Sequence, residues 1–197
     1  MCGDRRNDFC MKLAMHTAPT LLGIKCASLI SISDKDCDSS SLISEFNSLA
    51  NVRGLEARLL CPMENRKLIL VYNTEQLRCR LSDEAAKRLL MSCGYSLSAD
   101  LDEMLDFLSG RIAAKDGFPH EIGVFLGYPI EDVEGFIANK GSNFKLCGCW
   151  KVYGSVDYAV KTFAAYESCK KHLCTRLREG ADLFGEIGAL RSGLSGI

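Results

Sequence analysis

The sparse, uneven spacing of its strand-like segments is the feature that most constrains the fold of this 197-residue chain. Only four segments have strand character, at residues 24–32, 55–61, 67–72 and 144–153. A doubly wound α/β fold needs strands that alternate regularly with helices along the chain. Because these segments do not, we predict an α+β fold in which a small, largely antiparallel four-stranded sheet is covered by several helices.

Helical periodicity accounts for much of the remaining chain. The predicted helices cover about residues 4–15, 39–49, 98–112, 129–139 and 155–178. A further short helix is predicted to begin at Pro19 and to end at Gly23, since proline suits a first helical turn and glycine a helix end.

Composition and charge exclude several classes of protein. The chain is 47% hydrophobic and 25% charged, which is typical of a globular protein and excludes a disordered chain or a coiled-coil rod. A formal net charge of −1 argues against a globally basic nucleic-acid binder. We predict one domain over residues 1–197, in which residues 82–140 could form a helical lobe.

The first residues do not look like a secretory signal. They carry charges of both signs, and no apolar stretch follows them. The longest weakly polar run, residues 21–32, is too short to span a bilayer and contains Lys25. We therefore expect a cytoplasmic protein without a membrane partner.

Eleven cysteines are many for a chain of this length. In a reducing compartment, cysteines are most often small buried hydrophobic residues and sometimes metal ligands or redox thiols. The sequence contains no Cys-x-x-Cys pair, Walker loop, Gly-x-Gly-x-x-Gly fingerprint or Gly-x-Ser-x-Gly elbow. It therefore does not identify an enzyme class.

The segment at residues 144–153 is the first candidate for a chemical site. As one strand, it would place Cys147 and Cys149 on the same face as Lys145 and Lys151. Nearby ammonium groups lower the pKa of a thiol and favour the thiolate, which is both a nucleophile and a metal ligand. The alternative is an ordinary edge strand with surface lysines and half-buried cysteines.

The predicted helix at residues 155–178 carries the second candidate. Cys169 and His172 lie three residues apart and could share a metal, whereas Cys174 faces elsewhere and fits the apolar stripe of the helix. A closed tetrahedral site needs convergent ligands, so this segment alone does not predict one.

His120 and Glu121 form the third candidate. His120 would lie in the first turn of a helix, where the helix dipole favours a neutral imidazole that could bind metal or act as a base. The side chains of adjacent helical residues diverge, so Glu121 does not form a ready dyad with His120. A surface histidine that caps the helix is an equally good interpretation.

Residues 122–137 have the spacing of a helix-turn-helix unit. Its second helix would carry Glu131, Asp132 and Glu134, whose carboxylates would repel DNA phosphates. We therefore interpret the unit as a helix hairpin used for packing, and nucleic acid is an unlikely partner.

Three motif segments, at residues 16–23, 118–129 and 148–153, resemble a bacterial family catalogued as domain of unknown function 3793, chiefly of anaerobic Firmicutes. The Pro-His-Glu…Leu-Gly-Tyr-Pro and Gly-Cys-Trp-Lys-Val-Tyr motifs carry the resemblance, which extends from about His16 to Gly180. The resemblance implies no activity. It places in motifs the residues His16, His120, Glu121, Cys149, Trp150, Lys151, Tyr153, Cys169 and Cys174.

One position departs from the family pattern. Thr17 stands where members of the family often carry cysteine, so a metal role for its neighbourhood loses support.

Our leading hypothesis is a Cys/His site assembled from distant segments. Cys149 and Cys169 would converge with His120 or His16, and the site would bind iron or zinc or act as a thiol centre. The first alternative is a non-catalytic interaction module that presents Trp150 or Tyr128 to a protein partner. A helix-turn-helix-like regulator is a minor alternative.

Overall fold

The computed structural model describes residues 2–33, 39–63, 66–96, 98–114 and 118–187. The described chain forms two compact units, and the α+β prediction is confirmed. Unit 1 contains the described residues of 2–74 and 165–187, and unit 2 those of 75–164. None of the helices among these residues is long and apolar enough to cross a membrane.

Unit 1 is built on a three-stranded antiparallel sheet. Its strands are β1 (Ala27–Ser33), β2 (Leu55–Met63) and β3 (Arg66–Asn73), in the order β1-β3-β2. The second and third strand segments of the sequence pair with each other, antiparallel, as β2 and β3. The register of β2 against β3 shifts between Leu59 and Cys61, as it does at a β-bulge.

Helices pack on one face of this sheet. They are α1 (Cys2–Leu21), α2 (Ser39–Ala50) with the short 3-10 helix η1 (Asn51–Arg53), and the part of α8 (Val156–Arg178) that follows residue 164. The apolar side chains of both layers form one core, which includes Leu13, Phe46, Ile69, Val71 and Leu173.

Helix α1 continues through Pro19, so the predicted break before this residue is wrong. Proline lacks an N–H group, so α1 loses the one hydrogen bond that residue 19 would donate to the carbonyl of Met15. The buried residues Leu13, Ala18 and Leu21 stabilise the continuous helix through packing. Gly23 ends the turn with a φ of 81°, as predicted.

Unit 2 is mainly helical. Its elements are α3 (Thr74–Ser82), α4 (Glu84–Ser92), α5 (Leu101–Ala113), α6 (Ile122–Phe125), α7 (Ile130–Ala138), the first turns of α8, and two short strands, β4 (Leu146–Cys147) and β5 (Lys151–Val152). A capping box of Asp100 and Glu103 begins α5, which confirms the helix predicted there.

The prediction of one four-stranded sheet is wrong, because residues 144–153 do not form a single strand. They fold back into a hairpin in which Leu146 pairs with Val152 and Cys147 with Lys151. The turn passes through Gly148, whose Cα lies so close to the ring of Phe163 that an added Cβ would be 2.2 Å from it. Cys147 and Lys151 still share a face as cross-strand partners, whereas Cys149 lies in the turn.

Candidate functional site

The buried carboxylate of Asp132, on α7, binds the motif segment at residues 148–153. Its Oδ2 accepts a hydrogen bond from Trp150 Nε1 at 2.6 Å. Its Oδ1 accepts from the backbone amides of Tyr153 and Gly154, both at 2.7 Å. Because Asp132 is only 3% exposed, these bonds form out of contact with water and fix the hairpin to α7.

Glu121 is the second buried carboxylate, at 2% exposure. It pairs with Nε of Arg111 and accepts a hydrogen bond of 3.4 Å from the hydroxyl of Tyr95. Burial, together with the Glu121 charge, raises the pKa of Tyr95 above its usual range. Glu121 thus anchors the start of α6 to α5 and faces protein donors rather than solvent.

Aromatic rings surround the indole of Trp150. The ring of Tyr128 stacks on it with centroids 5.0 Å apart and an interplanar angle of 26°. Phe163 meets it edge-on, at 4.6 Å and 80°. With its N–H held by Asp132, the indole has one fixed orientation.

A cavity of about 380 Å³ opens beside this cluster. Most of its lining is apolar, and both the segment 118–129 and the segment 148–153 contribute to it. Its walls include four aromatic rings, from Phe118, Tyr128, Phe136 and Trp150. We call this space the aromatic cavity.

Few polar groups line the aromatic cavity. The ammonium of Lys151 donates to the carbonyl of Gly141 at 2.6 Å and lies 5.5 Å from the ring centre of Phe136. The exposed imidazole of His120 meets the same phenyl ring edge-on at 4.8 Å. Asp132 also lines the cavity, but its oxygens already accept three hydrogen bonds.

The two cysteines of the hairpin differ in position. Cys147 is exposed and lines the aromatic cavity, opposite Lys151 in the hairpin register. Cys149 is also exposed, and its carbonyl accepts a hydrogen bond of 3.4 Å from the hydroxyl of Tyr128. Burial, and to a lesser extent the charge of Cys149, raises the pKa of Tyr128 to about 12.

The four predicted metal ligands divide between the units. Cys149 and His120 belong to unit 2, and Cys169 and His16 to unit 1. Cys169 packs against the core of unit 1, where burial raises the pKa of its thiol, and His16 is exposed on α1.

Among the described residues, no three or more His, Cys, Asp or Glu side chains come together in a group that could hold a metal ion. The iron or zinc site therefore stays a prediction.

The remaining candidates on α8, Cys174 and His172, both lie in unit 1. Cys174 is buried in the core of unit 1, as its place in the apolar stripe predicts. The imidazole of His172 is exposed, with Nε2 3.8 Å from a carboxylate oxygen of Glu186. Thr17, at the position that departs from the family pattern, is fully buried and donates to the carbonyl of Leu13 at 2.7 Å.

Sequence reasoning missed Asp132 and Arg111 as site residues. Asp132 was grouped with Glu131 and Glu134 as one acidic helix face, although it is buried while those two are exposed. Its position four residues before Phe136 puts both side chains on one side of α7, which is a weak signal that Asp132 faces the interior.

Unit 2 is thus a mainly helical unit whose two central motif segments enclose an aromatic cavity. The chain belongs to the family described as "Protein of unknown function (DUF3793)", whose model matches residues 13–184. No curated protein and no solved structure is significantly similar to the chain.

Proposed function

We propose that the protein is a binding module whose aromatic cavity receives a small, planar and largely apolar molecule that carries an anionic group. The observation that carries the proposal is the cavity itself, at about 380 Å³ and with four aromatic rings in its wall. Cavities for small ligands have volumes of roughly 300–1,000 Å³ and mostly apolar linings with a few polar groups.

The fixed geometry of the wall favours binding. Trp150 is held by Asp132 on its edge and by Tyr128 on its face, so its indole needs no reordering when a ligand enters. A wall that is ordered before binding avoids the entropic cost that flexible side chains would add. Stacking of a planar ligand against such rings adds to the gain from burial of apolar surface.

The charges at the cavity favour an anionic group on the ligand. The negative charge of Asp132 is stabilised by hydrogen bonds that its oxygens accept from Trp150 Nε1 and from two backbone amides. The ammonium of Lys151 has three N–H donors, and one of them binds the carbonyl of Gly141. An anion placed near Lys151 would be attracted strongly, because the apolar wall lowers the local dielectric constant.

Trp150 is the only tryptophan in the chain, so its fluorescence reports on this cavity alone. The test is a titration with 8-anilinonaphthalene-1-sulfonate, an aromatic anion with a planar naphthalene ring system that can accept energy from tryptophan. We expect saturable quenching of the Trp150 emission together with a rise in dye emission.

Two matched variants decide whether the dye occupies the aromatic cavity. Cys147→Phe places a ring at the cavity wall, whereas Cys79→Phe places one at an exposed cysteine of α3 that does not line it. We expect the first variant to weaken dye binding at least about tenfold, the equivalent of 1.4 kcal/mol. Equal affinities of the two variants would contradict the proposal.

A second pair of probes separates charge from shape. N-phenyl-1-naphthylamine has the same rings as the sulfonated dye but no charge. Lys151→Gln should weaken binding of the sulfonated dye only, and Lys161→Gln, at an exposed residue of α8, should change neither. Equal weakening of both dyes by Lys151→Gln would contradict the anionic preference.

A further inference from the structure

Cys147, Lys151 and His120 all line the aromatic cavity. Cys147 and Lys151 are direct cross-strand partners, and the β-carbons of such partners lie about 4.5–5.5 Å apart. His120 enters the cavity from the other motif segment, beside Phe136. A thiol, an ammonium and an imidazole thus line one apolar cavity, which is a more specific arrangement than an isolated cysteine.

We propose that Cys147 is the nucleophile of a covalent binding site, which captures a planar ligand that contains a conjugated carbonyl group, such as a quinone or an enone. This inference rests on the proposed function, because it requires that the aromatic cavity bind planar molecules. It assigns a chemical class to the ligand and a reaction to the site.

The other described cysteines are less suited to this role. Cys61 and Cys174 are buried. The thiols of Cys10, Cys93 and Cys169 are half-buried, and burial raises the pKa of each. Cys26 is also half-buried and does not line the aromatic cavity. Among the described cysteines, Cys79 and Cys149 match Cys147 in exposure, but neither lines the aromatic cavity.

The neighbours of Cys147 match the charges that the reaction develops. Addition of a thiolate to a conjugated carbonyl moves negative charge onto the carbonyl oxygen, where the N–H groups of Lys151 can stabilise it. The imidazole of His120 can accept the proton of the thiol and return it later.

The bond changes of the step balance without an oxidant or a reductant. The sulfur of Cys147 forms a C–S bond with the β-carbon of the ligand, and the carbon–carbon π bond breaks. Its electron pair moves toward the carbonyl oxygen and gives an enolate. The α-carbon then takes up one proton, which replaces the proton that the thiol lost, so the product is a neutral thioether.

The experiment compares two maleimides on the wild-type chain. N-phenylmaleimide and N-methylmaleimide share the same reactive group, but only the first has a planar ring for the aromatic cavity. The labelling rates of Cys147 and Cys79 are followed by peptide mass spectrometry, with Cys79 as the exposed internal reference. The ratio of the Cys147 rate to the Cys79 rate should be at least about tenfold higher with N-phenylmaleimide. The same ratio for both reagents would overturn the proposal.

A variant and a competitor test the two parts of the site separately. Lys151→Gln should slow labelling of Cys147 severalfold with both reagents and leave Cys79 unchanged, and an unchanged Cys147 rate would contradict the role of the ammonium. Excess 8-anilinonaphthalene-1-sulfonate should protect Cys147 and not Cys79.

Dye binding and labelling together distinguish a failure of the covalent step from a failure of the proposed binding function. If the dye binds at Trp150 while Cys147 shows no ring-dependent labelling, the covalent step is wrong and the binding module stands. If the dye does not bind at Trp150 and labelling is independent of the ring, both proposals are wrong.

Discussion

At the scale of single residues, Asp132 holds together segments that are distant in the sequence. Replacement by asparagine keeps the size of the side chain but exchanges one carboxylate oxygen for an NH₂ group. One oxygen accepts from Trp150 Nε1 and the other from the amides of Tyr153 and Gly154, so either exchange leaves a donor without its acceptor. A buried donor that loses its acceptor costs roughly 1–3 kcal/mol. We expect Asp132→Asn to lower the free energy of unfolding by about 2 kcal/mol.

Urea unfolding followed by Trp150 fluorescence measures this loss. Glu134→Gln makes the same chemical change at an exposed position of the same helix, and it should alter stability by less than about 0.5 kcal/mol. If the two variants unfolded at the same urea concentration, Asp132 would not hold the hairpin to α7.

Tyr128 should make the stability of unit 2 depend on pH in the alkaline range. Burial, followed by the charge of Cys149, raises the pKa of its hydroxyl from 10 to about 12. Below pH 10 both folded and unfolded states hold the proton. Between pH 10 and about pH 12 only the unfolded state ionises extensively, so the stabilisation is lost as the pH rises.

Tyr128→Phe removes the ionising hydroxyl, so the fall in the urea midpoint above pH 10 should be smaller than in the wild type. Tyr158→Phe is the control, because the hydroxyl at this exposed position contacts water. A fall of the same size in both variants would show that Tyr128 does not contribute to it.

Part of this residue-level picture could be predicted from the sequence. The motif segments identified His120, Cys149, Trp150 and Lys151 as residues of interest. Three of these, His120, Trp150 and Lys151, line the aromatic cavity. The role of Asp132 could not be predicted, because the side chain that a carboxylate faces depends on contacts between distant segments rather than on local sequence pattern.

At the scale of elements, the hairpin of β4 and β5 depends on close packing at Gly148. An added Cβ at Gly148 would lie 2.2 Å from the ring of Phe163, which also packs edge-on against Trp150. Either the ring or the hairpin would have to move. We expect Gly148→Ala to destabilise the protein by about 1–3 kcal/mol and to shift the Trp150 emission.

Gly110 provides the matched control, because an added Cβ there meets nothing within 4 Å. It lies inside α5, where alanine is a better helix former than glycine. Gly110→Ala should therefore stabilise the protein by about 0.5–1 kcal/mol, so the two substitutions are expected to have opposite signs. Thermal unfolding measures both, and destabilisation of similar size would contradict the packing argument.

The same elements show what sequence periodicity can predict. The helices at α5 and α7 both have a helical apolar pattern, and the structure confirms them. The start of α7 after Pro129 agrees with the prediction, whereas α5 begins after Asp100 rather than at residue 98. Residues 144–153 alternate like one strand, but such a pattern does not reveal that Phe163 occupies the space beside Gly148. The turn is therefore a consequence of tertiary packing, which a local pattern does not contain.

At the scale of the whole molecule, nine of the eleven cysteines lie among the described side chains, and none of these nine forms a disulfide. Their burial predicts an order of reaction with Ellman's reagent. Cys79, Cys147 and Cys149 are exposed and should react first, whereas Cys61 and Cys174 are buried and should react only when the chain unfolds.

The measurement uses a Cys2→Ser, Cys37→Ser background, so that every titrated thiol is one of the nine. Rapid reaction of three thiols, and full reaction only in denaturant, is the expected result. Reaction of Cys174 at the rate of Cys79 would show that the core of unit 1 opens readily under native conditions.

The overall class could be predicted from the sequence more reliably than the arrangement of its parts. The number and spacing of strand segments predicted an α+β fold, while the division of the strands between two sheets depends on the turn at Gly148. The predicted metal ligands belong to both units, and their sequence separation carried no information on which side chains share a cavity.

The irregular register of β2 bears on aggregation. Among the described strands, β2 pairs only with β3, so its other side is a sheet edge of the kind that can recruit a strand from another molecule. The register shift between Leu59 and Cys61 and the ring of Pro62, which has no N–H group, interrupt that row. In the first half of β2, the side chain of Asn47 binds the backbone amide and carbonyl of Ala57, at 2.7 and 2.9 Å. The edge therefore presents no long, regular template for intermolecular pairing, which opposes the growth of fibrils.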